Sequence, residues 1–167
     1  MSNNQLSWIE LYANNSLVSL DCSNNSLKEL NIDNLTELRS LNISNNKLKE
    51  INLVHNHSIK RFHCSENVIE VLNLEENTEL IGLNCRSNAL TSLDISSNAN
   101  LVVLDCSNNE LESLNMANNN NINIASSSFD ATNNALNCIK VDDKNFSDQN
   151  WASKIDAGSF FSNSCIT

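Results

Sequence analysis

The side chains in this chain best suited to nucleophilic chemistry or metal binding are those of its six cysteines and three histidines. Four cysteines, Cys22, Cys64, Cys85 and Cys106, are separated by 21 residues or twice that number, and Ile43 occupies the slot between the first two. An isoleucine in the same slot indicates a small buried hydrophobic residue, a role that suits a free thiol. Because thiols stacked in one row lack tetrahedral geometry and no C-x-x-C pair occurs, we expect buried, unreactive thiols and no zinc site.

The histidines do not form a recognisable catalytic or metal-binding set. His55, His57 and His63 fall at different positions of the repeating unit described below, so they do not converge on one metal ion. The sequence contains no G-x-S-x-G, no P-loop and no H-E-x-x-H. We therefore expect no catalytic site, no metal and no cofactor.

The carboxylates do not change that expectation. Five of them fall within a short stretch: Glu66, Glu70, Glu75, Glu76 and Glu79. A glycosidase requires two carboxylates that face each other across a cleft of about 5–10 Å, whereas these five are distributed around one unit. Asp142, Asp143 and Asp148 do not follow the spacing of a calcium-binding EF-hand loop. A solvated acidic surface is the better interpretation.

The overall charge restricts the class of partner. The formal net charge is −10, which is unfavourable for nucleic acid because phosphate neutralisation requires clustered lysines and arginines. It is equally unfavourable for a basic membrane-surface patch. No apolar run approaches the length of about 18 residues that a membrane-spanning helix needs. We therefore predict neither a nucleic-acid partner nor a membrane span.

A repeat of 21 residues organises most of the sequence. Asparagines recur at Asn25, Asn46, Asn67, Asn88 and Asn109. Core residues recur in the same steps at Leu27, Leu48, Ile69, Leu90 and Leu111. Five units without slippage indicate a repeat architecture in which each unit is one structural coil.

The pattern within one unit resembles the leucine-rich repeat. Leu101, Leu104, Cys106, Asn109 and Leu111 give L-x-x-L-x-L-x-x-N-x-L, the signature of that family. The L-x-L-x-x-N element occurs twice in each unit, which resembles the nested 21-residue bacterial type. The Asp-Cys-Ser-Asn-Asn segments are similar to segments of secreted or surface repeat proteins of the Bacteroidetes, including flavobacteria. The resemblance implies a leucine-rich-repeat solenoid of about six to seven coils, with a parallel β-ladder and little or no helix in the repeats.

Elementary physics explains why such units stack. A single coil cannot bury its own apolar face, whereas coils spaced about 4.8 Å apart form a parallel ladder around a continuous core. The L-x-L alternation directs two side chains inward and leaves the residue between them facing solvent. The repeated asparagines are expected to turn inward and bond backbone groups that the coil leaves unpaired, and they tolerate left-handed backbone.

The two ends of the sequence differ. Extrapolating the register backwards places Met1 in the slot of Cys22, so the chain starts within a repeat and without a polar cap. We interpret residues 1–137 as a solenoid that is a fragment of a longer array; the alternative is a short form that self-associates through its uncapped N-terminal end.

After Met116 the register gains four residues, and from Cys138 the periodicity stops. Residues 138–167 are similar to the irregular C-terminal cap of flavobacterial repeat proteins.

Two further cysteines lie outside the stacked row. Cys138 and Cys165 stand at the two ends of the cap, and we interpret them as a disulfide that closes a loop of about 27 residues. A disulfide indicates an oxidising compartment. Together with the resemblance, it predicts a secreted or cell-surface location for the parent protein, although the chain opens with no signal peptide.

Partners of solenoids bind the outward face of the ladder. Most residues predicted on that face are small and polar, but Arg61, His63 and Arg86 fall in adjacent coils with Glu66 nearby. Because arginine is enriched at the energetic centres of interfaces, we select these four residues as the candidate binding site. Ordinary surface variation is the alternative.

The sequence therefore predicts a non-enzymatic module for protein–protein interaction or adhesion, with a protein ligand of unknown identity. A glycan-binding module is an alternative, although the predicted face carries no aromatic side chain apart from His63. A structural spacer that displays another domain is a third possibility, which the uniformity of most of the face allows.

Overall fold

The structure, a computed structural model, describes residues 1–12 and 14–165. Ala13 and the last two residues of the predicted cap, Ile166 and Thr167, lie outside that part. The strands are β1 (Ser19–Asp21), β2 (Ser40–Asn42), β3 (Arg61–His63), β4 (Gly82–Asn84), β5 (Ser92–Asp94), β6 (Val103–Asp105), β7 (Ser113–Asn115), β8 (Phe129–Asp130), β9 (Cys138–Lys140) and β10 (Phe160–Ser162). The α-helix α1 spans Lys144–Trp151, and 3₁₀ turns occupy Asn121–Asn123, Ser126–Ser128 and Ala152–Lys154.

Six strands form one parallel sheet in the order β1-β2-β3-β4-β6-β8. Its register follows the sequence period, since Leu20 pairs with Leu41, and Leu41 pairs with Phe62. The step from Leu104 to Phe129 is longer because the four additional residues loop out through two 3₁₀ turns. The predicted parallel ladder is confirmed, and we call its outward side the first face.

A second parallel sheet runs along another side of the coils, in the order β10-β9-β7-β5. It corresponds to the second L-x-L element of each unit. In the upstream coils, the equivalent segments at 8–10, 29–31, 50–52 and 71–73 form no strand within the described residues. We call the outward side of this sheet, together with those upstream segments, the second face.

The core lies between the two faces. The strands of the first sheet repeat an outward–inward–outward pattern whose central side chain is buried, as with Phe62 between Arg61 and His63. Buried Leu, Ile and Cys side chains stack from coil to coil, and the four repeat thiols are among the fully buried residues. This arrangement gives a continuous interior without requiring many aromatic residues.

The repeated asparagines bond the backbone as predicted. The Asn67 side-chain amide donates to the carbonyl of Ile43 in the preceding coil at 3.0 Å and to that of Cys64 in its own coil at 3.1 Å. Its oxygen accepts from the N–H of Leu48 at 3.0 Å. The same pattern recurs in neighbouring coils, so each amide satisfies backbone groups that would otherwise be buried without partners.

A second column of asparagines lies elsewhere on the coils. Asn77 donates to the carbonyls of Leu53 and Asn56 at 3.1 and 3.0 Å, and Asn98 repeats these contacts one coil later. These side chains are buried and connect successive coils where the backbone bends. They supply interactions between coils on the side that the first sheet does not cover.

The C-terminal segment is more regular than the expected irregular cap. Strands β9 and β10 extend the second sheet, and α1 follows β9 with Asp143 as its N-cap, whose carboxylate accepts from the N–H groups of Asn145 and Phe146. Pairing with β7 continues here because the second L-x-L element persists at Cys138–Lys140 after the asparagine pattern ends.

An aromatic cluster closes the core at this end. Trp151 is buried, and its ring centroid lies 4.6 Å from that of Phe129 and 6.0 Å from that of Phe161. Its indole N–H donates to the carbonyl of Ile124 at 3.3 Å. Ile155 directly follows the 3₁₀ turn Ala152–Lys154 and packs at the edge of the core.

The predicted disulfide between Cys138 and Cys165 is present. It connects β9 to the residues that follow β10, the strand paired beside it. None of the helices in the described part of the chain combines the length and apolar character needed to cross a bilayer.

Candidate interaction face

The first face around β2, β3 and β4 carries the residues that the sequence singled out. Phe62 points into the core, which forces its neighbours Arg61 and His63 outward, and both are exposed. Register places Arg61 between Ser40 and Gly82. The arginine therefore stands between two residues with little or no side chain, and its guanidinium is accessible from both sides.

Gly82 places no side chain beside Arg61. A Cβ atom at this position would meet only the Cβ of Val103, at 3.8 Å, which is ordinary van der Waals contact. The backbone therefore does not require glycine here. The missing side chain leaves room on the surface for part of a partner to pack against Arg61.

Arg86 and Glu66 lie at the bends that follow β4 and β3. The N–H of Arg86 donates to the Asn84 side chain at 3.1 Å, which fixes the start of the bend. The N–H of Glu66 donates to the Arg86 carbonyl at 2.9 Å, so the two backbones adjoin. The structure thus brings Arg61, His63, Arg86 and Glu66 onto one region of the surface, across two successive coils.

Glu66 has an unfavourable backbone conformation. Its φ of +56° lies in the left-handed region, and Ser87 in the next coil has φ of +55°. The equivalent bends elsewhere use asparagine, namely at Asn3, Asn24, Asn45, Asn108 and Asn133. Asparagine adopts this conformation at lower cost than glutamate or serine. The two departures fall in the coils that carry Arg61 and Arg86. Strained residues concentrate at functional sites, which adds weight to this region.

Arg39 belongs to the same region and was not selected from the sequence. It is exposed, directly precedes β2, and its carbonyl accepts from the N–H of Lys60 at 2.9 Å. The chain contains three arginines, and all three lie in this part of the first face. The repeat register could have located Arg39, because it corresponds to Lys60 one unit later, and Lys60 directly precedes β3.

The arginines are available for a partner. Within residues 1–12 and 14–165, none of the three guanidinium groups forms an ion pair, whereas Lys60 pairs with Glu79 at 3.4 Å. The three arginines are therefore cations without an ion-pair partner in the described part of a chain whose net charge is −10.

The remaining reactive side chains are not arranged for chemistry. Burial raises the pKa of the Cys22 thiol to about 11 and that of the Cys85 thiol to about 12. Burial also raises the pKa of Cys64 and Cys106, so the thiolate nucleophile is suppressed throughout the row. In the part of the chain that the structure describes, no three His, Cys, Asp or Glu side chains group as metal ligands.

A second feature was missed by sequence reasoning. A cleft of about 890 Å³ opens on the second face, lined in part by Trp8 and Tyr12. The absence of aromatics noted from the sequence applied to the first face alone. The repeat register contains the missing signal, since Trp8 lies 21 residues before Glu29, at an outward position of the second face.

Comparison with solved structures identifies the fold. The structure is similar to the functional domain of InlJ from Listeria monocytogenes, described as including a cysteine ladder, with a TM-score of 0.68 and 25% sequence identity over 83% of this chain. It is also similar to the leucine-rich repeat domain of APL1B, with a TM-score of 0.50 and 22% identity over 79% of this chain. The fold is a leucine-rich-repeat solenoid.

The matches cover 37% of the InlJ chain and 48% of the APL1B chain, so this chain spans less than half of either. No protein-family model matches the sequence, and the search of curated proteins found no match. The InlJ domain is described as including a cysteine ladder, and this chain has a comparable row of buried cysteines at Cys22, Cys64, Cys85 and Cys106.

Proposed function

We propose that this chain is a non-enzymatic protein-interaction or adhesion module that binds an acidic segment of a partner on the first face around β2–β4. The likeness to other leucine-rich-repeat domains supports a role in protein interaction in general. The observation that carries the finer proposal is the placement of Arg39, Arg61 and Arg86 in three successive coils, none with an ion-pair partner among the described residues.

Each element of this surface has a distinct role in the proposal. The guanidinium groups of Arg61 and Arg86 bind carboxylates of the partner, and the planar fork of each arginine favours bidentate hydrogen bonds. His63 supplies a flat ring between Asn42 and Asn84, and the space at Gly82 accommodates a side chain of the partner. Glu66 limits the set of ligands by repelling a carboxylate placed too close to the bend.

A secreted or cell-surface location accompanies this function. The Cys138–Cys165 disulfide supports it because such bonds persist in oxidising compartments. We also propose that residues 138–167 cap a solenoid formed by residues 1–137. The aromatic packing of Trp151 over the last coil supports that division.

The test is selection of random 16-residue peptides displayed on phage, followed by affinity measurements with synthetic copies of the selected peptides. We expect acidic peptides to be enriched and Arg61→Ala combined with Arg86→Ala to weaken their binding by at least 30-fold. Two desolvated charge-assisted contacts at about 1–2 kcal/mol each give a loss of this size.

The matched control is Lys144→Ala with Lys154→Ala, which removes the same charge from the C-terminal segment. Full affinity in this control and loss in the arginine variant support the proposal. Equal affinity of the arginine variant and the wild type would refute it. Failure to enrich any peptide sequence would favour the structural-spacer alternative.

A further inference from the structure

The cleft on the second face has an apolar base and polar walls. Its base is formed by Ile9, Leu30 and Ile51, which are partly or largely buried. Its walls carry Lys28 and Glu29 in one coil and the equivalent Lys49 and Glu50 in the next. A ligand that fits must therefore have an apolar flat side and hydrogen-bonding edges.

Two aromatic rings border this cleft in exposed positions. Trp8 is 66% exposed and Tyr12 is 67% exposed. By contrast, Phe62, Phe129 and Trp151 are buried in the core, and Phe160, in β10 away from this cleft, is 49% exposed. Exposed aromatic rings beside a cleft are unusual on a chain with so few aromatics, and they provide stacking surfaces with little loss of side-chain entropy.

The exposure of the two rings follows from their position on the coil. Trp8 occupies the position of Glu29 and Glu50 in the following coils, and Tyr12 occupies that of Asp33. These positions point outward in each described coil, so the rings stand on a face of the solenoid. Three residues, Ile9, Glu10 and Leu11, separate them, and in an extended segment they would lie about 13 Å apart along the backbone.

The charges of the walls disfavour an anionic ligand. Two of the carboxylates directly follow a lysine, at Lys28–Glu29 and at Lys49–Glu50, and Glu10 and Asp33 add two more, so the walls offer both donors and acceptors with an excess of negative charge. Asn31 and Asn52 add amide groups on the same side. Such a set can bond hydroxyl groups, which both donate and accept.

The coils are also less regular where the cleft lies. Strand pairing on the second face begins at β5, and the segments 29–31 and 50–52 belong to no described strand. The cleft is therefore bordered by backbone that is not incorporated into a ladder. This irregular wall distinguishes the upstream part of the second face from the flat sheet that follows it.

We propose that this cleft binds a neutral oligosaccharide. The rings of Trp8 and Tyr12 stack on the C–H faces of two sugar units, and the alternating Lys and Glu side chains of the wall bond their hydroxyl groups. This site lies on the second face, whereas the three arginines lie on the first face. The proposal is therefore independent of the proposed protein-binding function.

A neutral-glycan array followed by calorimetry tests the proposal. We expect at least one class of neutral oligosaccharide to bind, Trp8→Ala or Tyr12→Ala to weaken that binding at least 10-fold, and Trp8→Phe to retain most of it. Trp8 fluorescence should also be protected from acrylamide by the sugar, while the buried Trp151 remains insensitive. The Arg61→Ala, Arg86→Ala variant is the control and should bind the sugar with unchanged affinity.

Because both rings are exposed, the alanine variants should keep the wild-type circular dichroism spectrum. Absence of any neutral glycan binder on the array would overturn the proposal. Unchanged sugar affinity in both alanine variants would overturn it as well. A saturable response to hexalysine in place of neutral sugars would assign the cleft to basic peptides and would equally reject it.

Discussion

At the scale of single residues, the repeat defines a preferred residue for each position, and departures from it carry information. The left-handed bend accepts asparagine at Asn24, Asn45 and Asn108, but Glu66 occupies it in the coil that carries Arg61. Stability alone does not favour glutamate there, because its longer side chain has no short-range hydrogen bond to compensate for the left-handed backbone. We therefore attribute the glutamate at this bend to the proposed binding surface, of which Glu66 is part.

Glu66→Asn is expected to increase the free energy of unfolding by about 0.5–1 kcal/mol, because asparagine tolerates a positive φ better. Urea denaturation measures the change. The converse variant, Asn45→Glu, should lose a similar amount at the equivalent bend, and Glu110→Gln controls for the removal of one negative charge. A lower unfolding free energy for Glu66→Asn would contradict the assignment of strain.

The buried thiols predict how stability depends on pH. Burial raises the pKa of Cys85 from 9.0 to about 12 in the folded chain, so the unfolded chain releases its proton first as pH rises. The stabilising contribution is therefore complete below about pH 9 and is lost progressively toward pH 12, at about 1.4 kcal/mol per pH unit for this thiol.

Anaerobic urea denaturation between pH 7 and pH 10.5 tests this dependence. Cys85→Val is the comparison, since Ile43 shows that the slot accepts a branched aliphatic side chain. The wild type should lose stability above about pH 9 more steeply than the variant, and the difference reports the thiol. Parallel curves for the two proteins would show that the thiol is not buried in the folded chain.

At the scale of elements, the strands are too short to be stable alone. Each strand has two or three residues, and its stability comes from the neighbouring coils and from the asparagines that bond between them. The C-terminal elements differ, because α1, β10 and the Trp151 cluster cover the last coil. The disulfide joins this group to the second sheet.

Removal of the disulfide by Cys138→Ser with Cys165→Ser is expected to lower the free energy of unfolding by about 3–4 kcal/mol, because the bond closes a loop of 27 residues in the unfolded chain. Urea denaturation with and without reductant measures it. The wild type should be sensitive to reductant and the double variant insensitive. A wild type that unfolds at the same urea concentration in both conditions would refute a stabilising role.

At the scale of the whole molecule, periodicity predicted most of the fold. The step from Leu27 to Leu48 and the recurring asparagines indicated stacked coils, and the pairing of Leu41 with Phe62 has the expected register. The second sheet was less predictable, because the same L-x-L element forms strands at Ser92–Asp94 but not at residues 50–52. Pairing there depends on how closely two coils approach, which one unit of sequence does not encode.

The candidate site was predictable in part for the same reason. Outward positions follow from the register, so Arg61, His63 and Arg86 could be assigned to one face. Arg39 was missed because it precedes the strand, and the strain at Glu66 depends on a backbone angle. Trp8 belongs to the second L-x-L element of its unit, outside the face for which a binding site was predicted. The resemblance to Bacteroidetes surface proteins stays a prediction.

The central claim is that a protein partner binds the first face around β2–β4. Its most direct test is the change in backbone amide chemical shifts when a selected acidic peptide is titrated into isotopically labelled protein. The claim predicts that the largest changes lie at Ser40–Asn42, Arg61–His63 and Gly82–Asn84, with the neighbouring Arg86. Changes concentrated on the second face or in the C-terminal segment, with β2–β4 unaffected, would contradict it.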